Sequence, residues 1–432
     1  MATPVRLEPG KTLLLDGPSS ALVVSGRVSV FGAELKPRRR LVVRKGRRMP
    51  LEALEPSELE VVVGQGGSSS VVEGSPIPPS WREAAEELLA NTGETRVMVL
   101  GGVDVGKTSL CTYLVNRALG AGRSVGIMDA DVGQSDVGPP CTIGFARAIK
   151  PVLDLSELRA EHAFFLGDKT PSHMVDKALR GVKEMVEKAC ESGVNFLVVN
   201  TDGWIHGQGA AEYKKAMADI VQPRAVLALQ RSGELKHILA SLEGWDINVL
   251  EVSPFVKERD RDMRRELRAQ GYRRYLDGSK VISVQLDWVE VEGRLPGSGL
   301  RPSKERVALI KSIVGSELLF CEEDPEKITL VFDEEAMPDQ EAIARLEEHV
   351  GKKVEVFRKG EEKNLLVALY GKDGRFLGIG TVVCLDYRKR AVRLFTPVEE
   401  DAIAKLCVGK IRVGRDGNEI EEPAELKSPP AQ

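Results

Sequence analysis

Over the first eighty residues, hydrophobic and polar positions alternate in short runs. Thr12–Leu15, Ala21–Val24, Val28–Phe31 and Leu59–Val63 have strand length and are set apart by Gly, Pro and Ser turns. Gly64–Ser70 and Gly74–Pro79 are rich in Gly, Ser and Pro and read as a linker. Ser80–Ala90 reads as an amphipathic helix with Ser80 as its N-cap. From Arg96 the period changes. Buried strands are predicted at Val97–Leu100, Ser124–Met128, Phe196–Val199, Ala225–Leu229 and Asn248–Val252. Helices are predicted between them at Lys107–Leu119, His173–Ser192, Gly209–Ile220 and Gly233–Leu242. Such alternation predicts an α/β domain built on a mainly parallel, doubly wound sheet and ending near Gly278. After Pro302 a short helix is predicted at Gln340–Val350, capped by Asp339. An antiparallel meander follows over Asn364–Val398, and Gly417–Gln432 reads as a frayed acidic tail. The expected organisation is a β-rich N-terminal domain (1–79), a central α/β domain (80–280) and a β-rich C-terminal domain with the acidic tail (281–432).

The chain has 432 residues, room for two or three domains, with 42% hydrophobic and 29% charged positions. No apolar run approaches the roughly 18 residues needed to cross a bilayer, and Met1–Leu15 has no signal-peptide core. A cytoplasmic or otherwise intracellular protein without a membrane role is expected, nuclear if the source is eukaryotic. The six cysteines are scattered and never form a CxxC pair, which argues against a zinc ribbon or a disulfide framework. A formal charge of −4 excludes a wholly basic nucleic-acid binder but leaves room for basic patches.

Gly101-Gly102-Val103-Asp104-Val105-Gly106-Lys107-Thr108 fits G-x-x-x-x-G-K-[ST] in full, after a predicted strand and at the start of a predicted helix. Backbone N–H groups of such a loop turn inward on phosphate oxygens at the positive end of the helix. Lys107 would reach the β- and γ-phosphates and Thr108 would offer its hydroxyl to Mg²⁺, with Ser109 the lesser choice. The next predicted strand runs into Asp129-Ala130-Asp131-Val132-Gly133-Gln134, at the end of a parallel strand that faces the nucleotide crevice. Of Asp129 and Asp131, one would hold Mg²⁺ and the other would accept a proton from an attacking hydroxyl. Spacing does not decide between them, and Asp131 is the favoured base. No Asn-Lys-x-Asp follows a later strand, so ATP is the default nucleotide.

Trp204 closes Asn200-Thr201-Asp202-Gly203-Trp204 just beyond another predicted strand, where it could stack on a nucleobase or simply fill the core. Lys257–Lys280 holds nine basic and five acidic residues, and Arg261, Arg264, Arg265 and Arg268 share one helix face. A solvated surface explains such a run, and so does a lid whose arginines stabilise a transferring phosphoryl group. Lys36–Arg48 has eight basic residues and no acid, which fits a guide for a nucleic-acid backbone or an exposed hairpin.

Taken in order, Gly101–Thr108 with Asp104 inside it, Asp129-x-Asp131-x-Gly133-Gln134, Thr201-x-Gly203-Trp204 and the Arg-rich Arg259–Tyr275 resemble the polyribonucleotide 5′-hydroxyl kinases. Gly26–Leu35 is also similar to that family's first β-domain. The resemblance implies Mg²⁺-dependent transfer of the ATP γ-phosphate to the 5′-hydroxyl of RNA, and of DNA as a further acceptor. It implies phosphate binding along Gly101–Ser109, a metal held by Thr108 and Asp129, and catalysis by Lys107, Asp129, Asp131 and the lid arginines Arg259 and Arg264. It places the acceptor strand near Trp204, Gln134 and Thr170. His173 and Gly271 depart from the family pattern in the Thr170 clasp and in the lid. RNA-processing proteins are implied as partners. An ATP-binding scaffold with little turnover is the alternative.

Overall fold

Two antiparallel sheets open the computed structural model, which describes residues 2–297, 299–336 and 339–421. One has the order Thr3–Leu7, Ser57–Val63, Ser19–Ser25, Arg40–Val43. The other runs Ala33–Leu35, Val28–Val30, Arg48–Ala53, Lys11–Asp16, Ser68–Glu73. The last of these strands lies inside the stretch read as a linker. Three serines, two valines and a glutamate, nearly all exposed, carry no alternation, and pairing with Lys11–Asp16 makes it a strand. Phe31 and Gly32, both at positive φ, form the two-residue turn between Val28–Val30 and Ala33–Leu35. That turn packs on the central domain, where Asn116 Nδ2 donates to the carbonyls of Phe31 and Val152 at 2.8 Å each.

The helix Pro79–Ala90 begins at Pro79 rather than on a Ser80 cap, because a proline suits a first turn that leaves its N–H groups unpaired. Ser80 instead bonds Glu251. The central sheet has the order His162–Phe165, Thr142–Ala148, Val125–Ala130, Phe196–Thr201, Thr95–Gly101, Ala225–Leu229, Ile247–Leu250. Its last five strands are parallel, and the first two add an antiparallel edge that the apolar pattern did not announce. The helices Lys107–Gly120, Val175–Glu191, Gln208–Val221 and Lys236–Ser241 connect them. One hydrophobic core runs from Leu13, Leu15 and Leu51 of the first sheets through Trp81, Leu110 and Val115 to Val99 and Leu227. With this shared core, residues 1–271 form one compact unit and residues 272–432 a second.

In the second unit the meander is present as Leu365–Tyr370, Phe376–Asp386 and Ala391–Thr396, flanked by Lys280–Gln285 and Lys405–Val413. A separate three-stranded layer (Phe320–Glu323, Lys327–Phe332, Lys353–Arg358) packs with the helices Lys304–Val314 and Gln340–Val350. Asp339 caps the second helix as expected, accepting the Glu341 N–H. Glu419–Ile420, read as frayed, pairs with Lys405–Val413, and the rest of the acidic tail, 422–432, lies outside the described residues.

Candidate active site

The phosphate loop leaves the buried strand Thr95–Gly101 and enters the helix Lys107–Gly120 at Gly106, whose φ of +95° suits only a residue without a side chain. A Cβ on Gly102 would come within 3.2 Å of Ile205, and one on Gly101 within 2.6 Å of Val105, so the loop is packed from beneath. Val103, Asp104, Gly106, Lys107, Thr108 and Ser109 line the pocket above it, while Gly101, Gly102 and Val105 are buried and do not line it. Lys107 is buried, and its Nζ donates to the Gly102 carbonyl at 2.7 Å.

The two aspartates expected to share the chemistry part company here. Asp131 lines the pocket beside Lys107 and Thr108, with Oδ1 accepting the Gln134 N–H at 3.1 Å. Burial raises its pKa, Lys107 opposes the rise and Asp202 behind it adds to it. Asp129 does not line the pocket. It is fully buried, and its Oδ1 takes the Asp131 N–H (3.2 Å) and Asn200 Nδ2 (3.0 Å). Its Oδ2 takes the N–H groups of Asp136 (2.7 Å) and Val137 (3.2 Å) and the Ser135 hydroxyl (3.4 Å). Burial, then Asp136 and Asp131, push its carboxyl up to about 7. With both oxygens engaged, Asp129 organises the loop that carries Asp131, and the expected contact to a metal is not open to it. Of the two residues expected to hold a metal, Thr108 lines the pocket, and its hydroxyl is a hard oxygen donor that suits Mg²⁺.

The Arg-rich helix spans Arg261–Leu276 and is half-buried along most of its length up to Gly271, so it is not a solvated surface. Asp104, left-handed at φ +55°, accepts the backbone N–H of Arg259 at 3.1 Å and its Nη1 at 3.4 Å. Arg264 Nη1 lies 3.7 Å from the same carboxylate, and its Nη2 donates to the Arg259 carbonyl. Arg259 lines the pocket; Arg264 stands behind it. Gln134 also lines the pocket and donates to the Arg264 carbonyl at 3.3 Å, which ties the aspartate loop to the helix. Gly271 sits where a Cβ would come within 2.9 Å of Pro140.

Some of the pocket lining that sequence reasoning did not assign comes from the N-terminal β-structure. Arg47 and Arg48, the end of the basic run Lys36–Arg48, line the pocket with Phe31. Arg47 pairs with Asp136, which is buried, and stands 3.7 Å from Asp154, which is nearly so. Arg48 grips Asp16 with two nitrogens (3.0 and 2.8 Å), and Lys257 reaches the same carboxylate at 3.4 Å. The run is therefore divided. Lys36, Arg38, Arg39 and Arg40 are exposed, and Arg47 and Arg48 are turned inward. Only the absence of acids near these arginines in sequence hinted at distant partners.

Trp204 lies outside the pocket lining but next to the loop, since Gly203 is so close to Val103 that a Cβ would meet its side chain at 2.6 Å. Its ring is half-buried and stacked on Tyr213, with centroids 5.7 Å apart. Thr170 caps the short turn Pro171–His173 and bonds Ser172 rather than the pocket. Its neighbour Lys169 lies against Gly133, whose Cβ would come within 2.9 Å of the Lys169 carbonyl. His173 Nδ1 stands 3.5 Å from Asp168.

A family model for the mRNA cleavage and polyadenylation factor CLP1 P-loop matches residues 101–278. The polyribonucleotide 5′-hydroxyl-kinase of Pyrococcus abyssi is 30% identical over 346 residues, covering 80% of this chain and 95% of its own. That of Methanocaldococcus jannaschii is 28% identical over 350 residues, 80% and 94% of the two chains. Among solved structures, wild-type Clp1p in complex with Pcf11p superposes with a TM-score of 0.68 at 15% identity, over 95% of this chain and 98% of that one. No helix among the described residues is long and apolar enough to cross a membrane.

Proposed function

The chain belongs to the polyribonucleotide 5′-hydroxyl kinase family, and from that premise we propose that it transfers the γ-phosphate of ATP to the 5′-hydroxyl of RNA. The observation that carries this reading is the pocket that brings Lys107, Thr108 and Asp131 together with Arg259. In the reaction the 5′-oxygen attacks the γ-phosphorus, the bond to the β,γ-bridging oxygen breaks, ADP leaves and the hydroxyl proton passes to a base. Asp131 is the base at hand, and its raised pKa favours taking up that proton. Such transfers ask the protein for position and charge stabilisation rather than covalent chemistry. Lys107 and the loop N–H groups would hold the phosphates, and Arg259, with Arg264 braced behind it, would meet the charge on the transferring group. Thr108 would hold Mg²⁺, whose chemistry is to neutralise the phosphate charge, which leaves Asp131 free to act as the base. Trp204 would stack on the acceptor end, with Gln134 beside the loop and Thr170 at the far side of the Gly133 turn.

The test is transfer of labelled γ-phosphate from ATP to a 5′-hydroxyl RNA oligonucleotide, with matched DNA in parallel. Label on the 5′ end that requires Mg²⁺ and is lost with Lys107→Ala is the expected result, and the RNA/DNA ratio gives the sugar preference. ATP binding without any label would overturn the kinase reading. It would point to an ATP-holding scaffold.

A further inference from the structure

The helix Gln208–Val221 carries Lys214, whose side chain is 0% exposed. A buried ammonium is costly, and a leucine or methionine would pack there without that cost. Both hydrogen bonds of its Nζ end on one residue, Asp202: the carboxylate Oδ2 at 2.7 Å and the backbone carbonyl at 3.1 Å. The other carboxylate oxygen of Asp202 accepts the Trp204 N–H at 2.9 Å. Lys214, Asp202 and Trp204 thus form one chain of contacts. Tyr213, the residue before Lys214, is the floor on which the Trp204 ring stacks. On the opposite side, Gly203 presses against Val103 of the phosphate loop. The turn 202–204 is therefore held between the phosphate loop and a single helical turn, which supplies both the clamp and the floor. Neither residue of the pair lines the nucleotide pocket.

We propose that Lys214 is a positioning residue for the acceptor strand: through Asp202 it sets the Trp204 ring at the height where the terminal base of the 5′-hydroxyl oligonucleotide stacks. This rests on the kinase reading above and adds to it a residue that touches neither nucleotide nor acceptor. It also accounts for a buried ion pair that lies outside the pocket lining.

The test compares Lys214→Met, the charge-neutral double variant Asp202→Asn/Lys214→Met, Trp204→Ala and Trp204→Ala/Lys214→Met. Steady-state KM and kcat are measured for ATP and for a 5′-hydroxyl RNA dodecamer. Fluorescence anisotropy of the same dodecamer labelled at its 3′ end gives Kd without turnover. Lys214→Met and the neutral double variant are expected to raise the RNA KM and Kd about ten-fold, within the range for one weakened base–aromatic stack. The KM for ATP should stay within about two-fold. In the Trp204→Ala background, Lys214→Met should add nothing further, because the two residues act in series. Additive losses, equal rises for ATP and RNA, a fall in kcat alone, or failure of the neutral double variant to fold would each overturn the proposal and leave a purely structural ion pair. If the wild-type protein binds the dodecamer but does not phosphorylate it, the kinase reading fails while the anisotropy cycle still decides the role of Lys214. Absence of both turnover and binding overturns the two together.

Discussion

Replacing Arg47 by methionine tests whether the first sheets and the central domain are held together at the edge of the pocket. Arg47 is 16% exposed and faces Asp136 (6%) and Asp154 (11%). Two of its nitrogens engage Asp136, and Nε stands 3.7 Å from Asp154. Burial alone would lower the pKa of this guanidinium, yet Asp136 and Asp154 outweigh it and hold the charge in place. Taking away one partner of a buried pair leaves an uncompensated charge and costs about 3–5 kcal/mol. For a unit of this size that is a fall in Tm of roughly 6–15 °C. The sign with pH follows from Asp154. Burial pushes its pKa up, but Arg47 and Ser156 bring it below the ordinary value of 3.8. Its contribution to stability is therefore present above the unfolded value and lost as pH falls through the folded one. Without Arg47 both carboxylates shift upward, and the folded variant binds protons that the unfolded chain has already released. The penalty should be largest at pH 7 and shrink toward pH 4. Urea unfolding followed by circular dichroism at pH 7 and pH 4.5 reads both quantities. A loss under about 1 kcal/mol at pH 7, or an equal loss at both pH values, would refute the assignment of Arg47 as counter-ion. A stable variant with a raised RNA KM would return the whole basic run to the role of nucleic-acid guide.

Four further outcomes are expected. Lys107→Ala should lower kcat at least 10²-fold or so while leaving Tm nearly unchanged; a folded variant with normal turnover would sink the pocket assignment. Asp131→Asn should lower kcat by about 10²–10⁴-fold at constant Tm, whereas Asp129→Ala strips an acceptor from three backbone N–H groups and should show itself in Tm. An Asp129→Ala protein of unchanged Tm that needs far more Mg²⁺ would make Asp129 a metal ligand after all. Arg264→Ala should act on kcat rather than on the KM for ATP, since the residue braces Arg259 from outside the pocket; an unchanged kcat would leave it only a packing role.

Much of this molecule was legible because the information is local. Eight consecutive residues dictate the phosphate loop, and the strand before it and helix after it follow from apolar period alone. Asp339 and Gln340–Val350 are a helix and its cap written side by side. Other features had no local trace. Ser68–Glu73 is a strand only because Lys11–Asp16 offers it an edge. The antiparallel pair Thr142–Ala148 and His162–Phe165, and the layer formed by Phe320–Glu323, Lys327–Phe332 and Lys353–Arg358, likewise depend on partners elsewhere in the chain.

By itself, then, the sequence determined the fold class, the phosphate loop and the family. The loop rests on contiguous residues whose backbone preferences act over a few ångströms, and the fold class and the family rest on the order in which such short local signals follow one another. Tertiary structure decided which charge does what. Asp129 and Asp131 stand two residues apart at the end of one strand, yet the loop folds its N–H groups around the first and leaves the second facing Lys107. Arg47 and Arg48 belong to the same basic run as Arg38 and Arg39, yet they find Asp136 and Asp16, 89 and 32 residues away. Lys214 looks like any helix lysine until Asp202 meets it inside the protein. Coulombic and desolvation energies depend on distance and burial, and those quantities exist only once the chain has brought remote segments together.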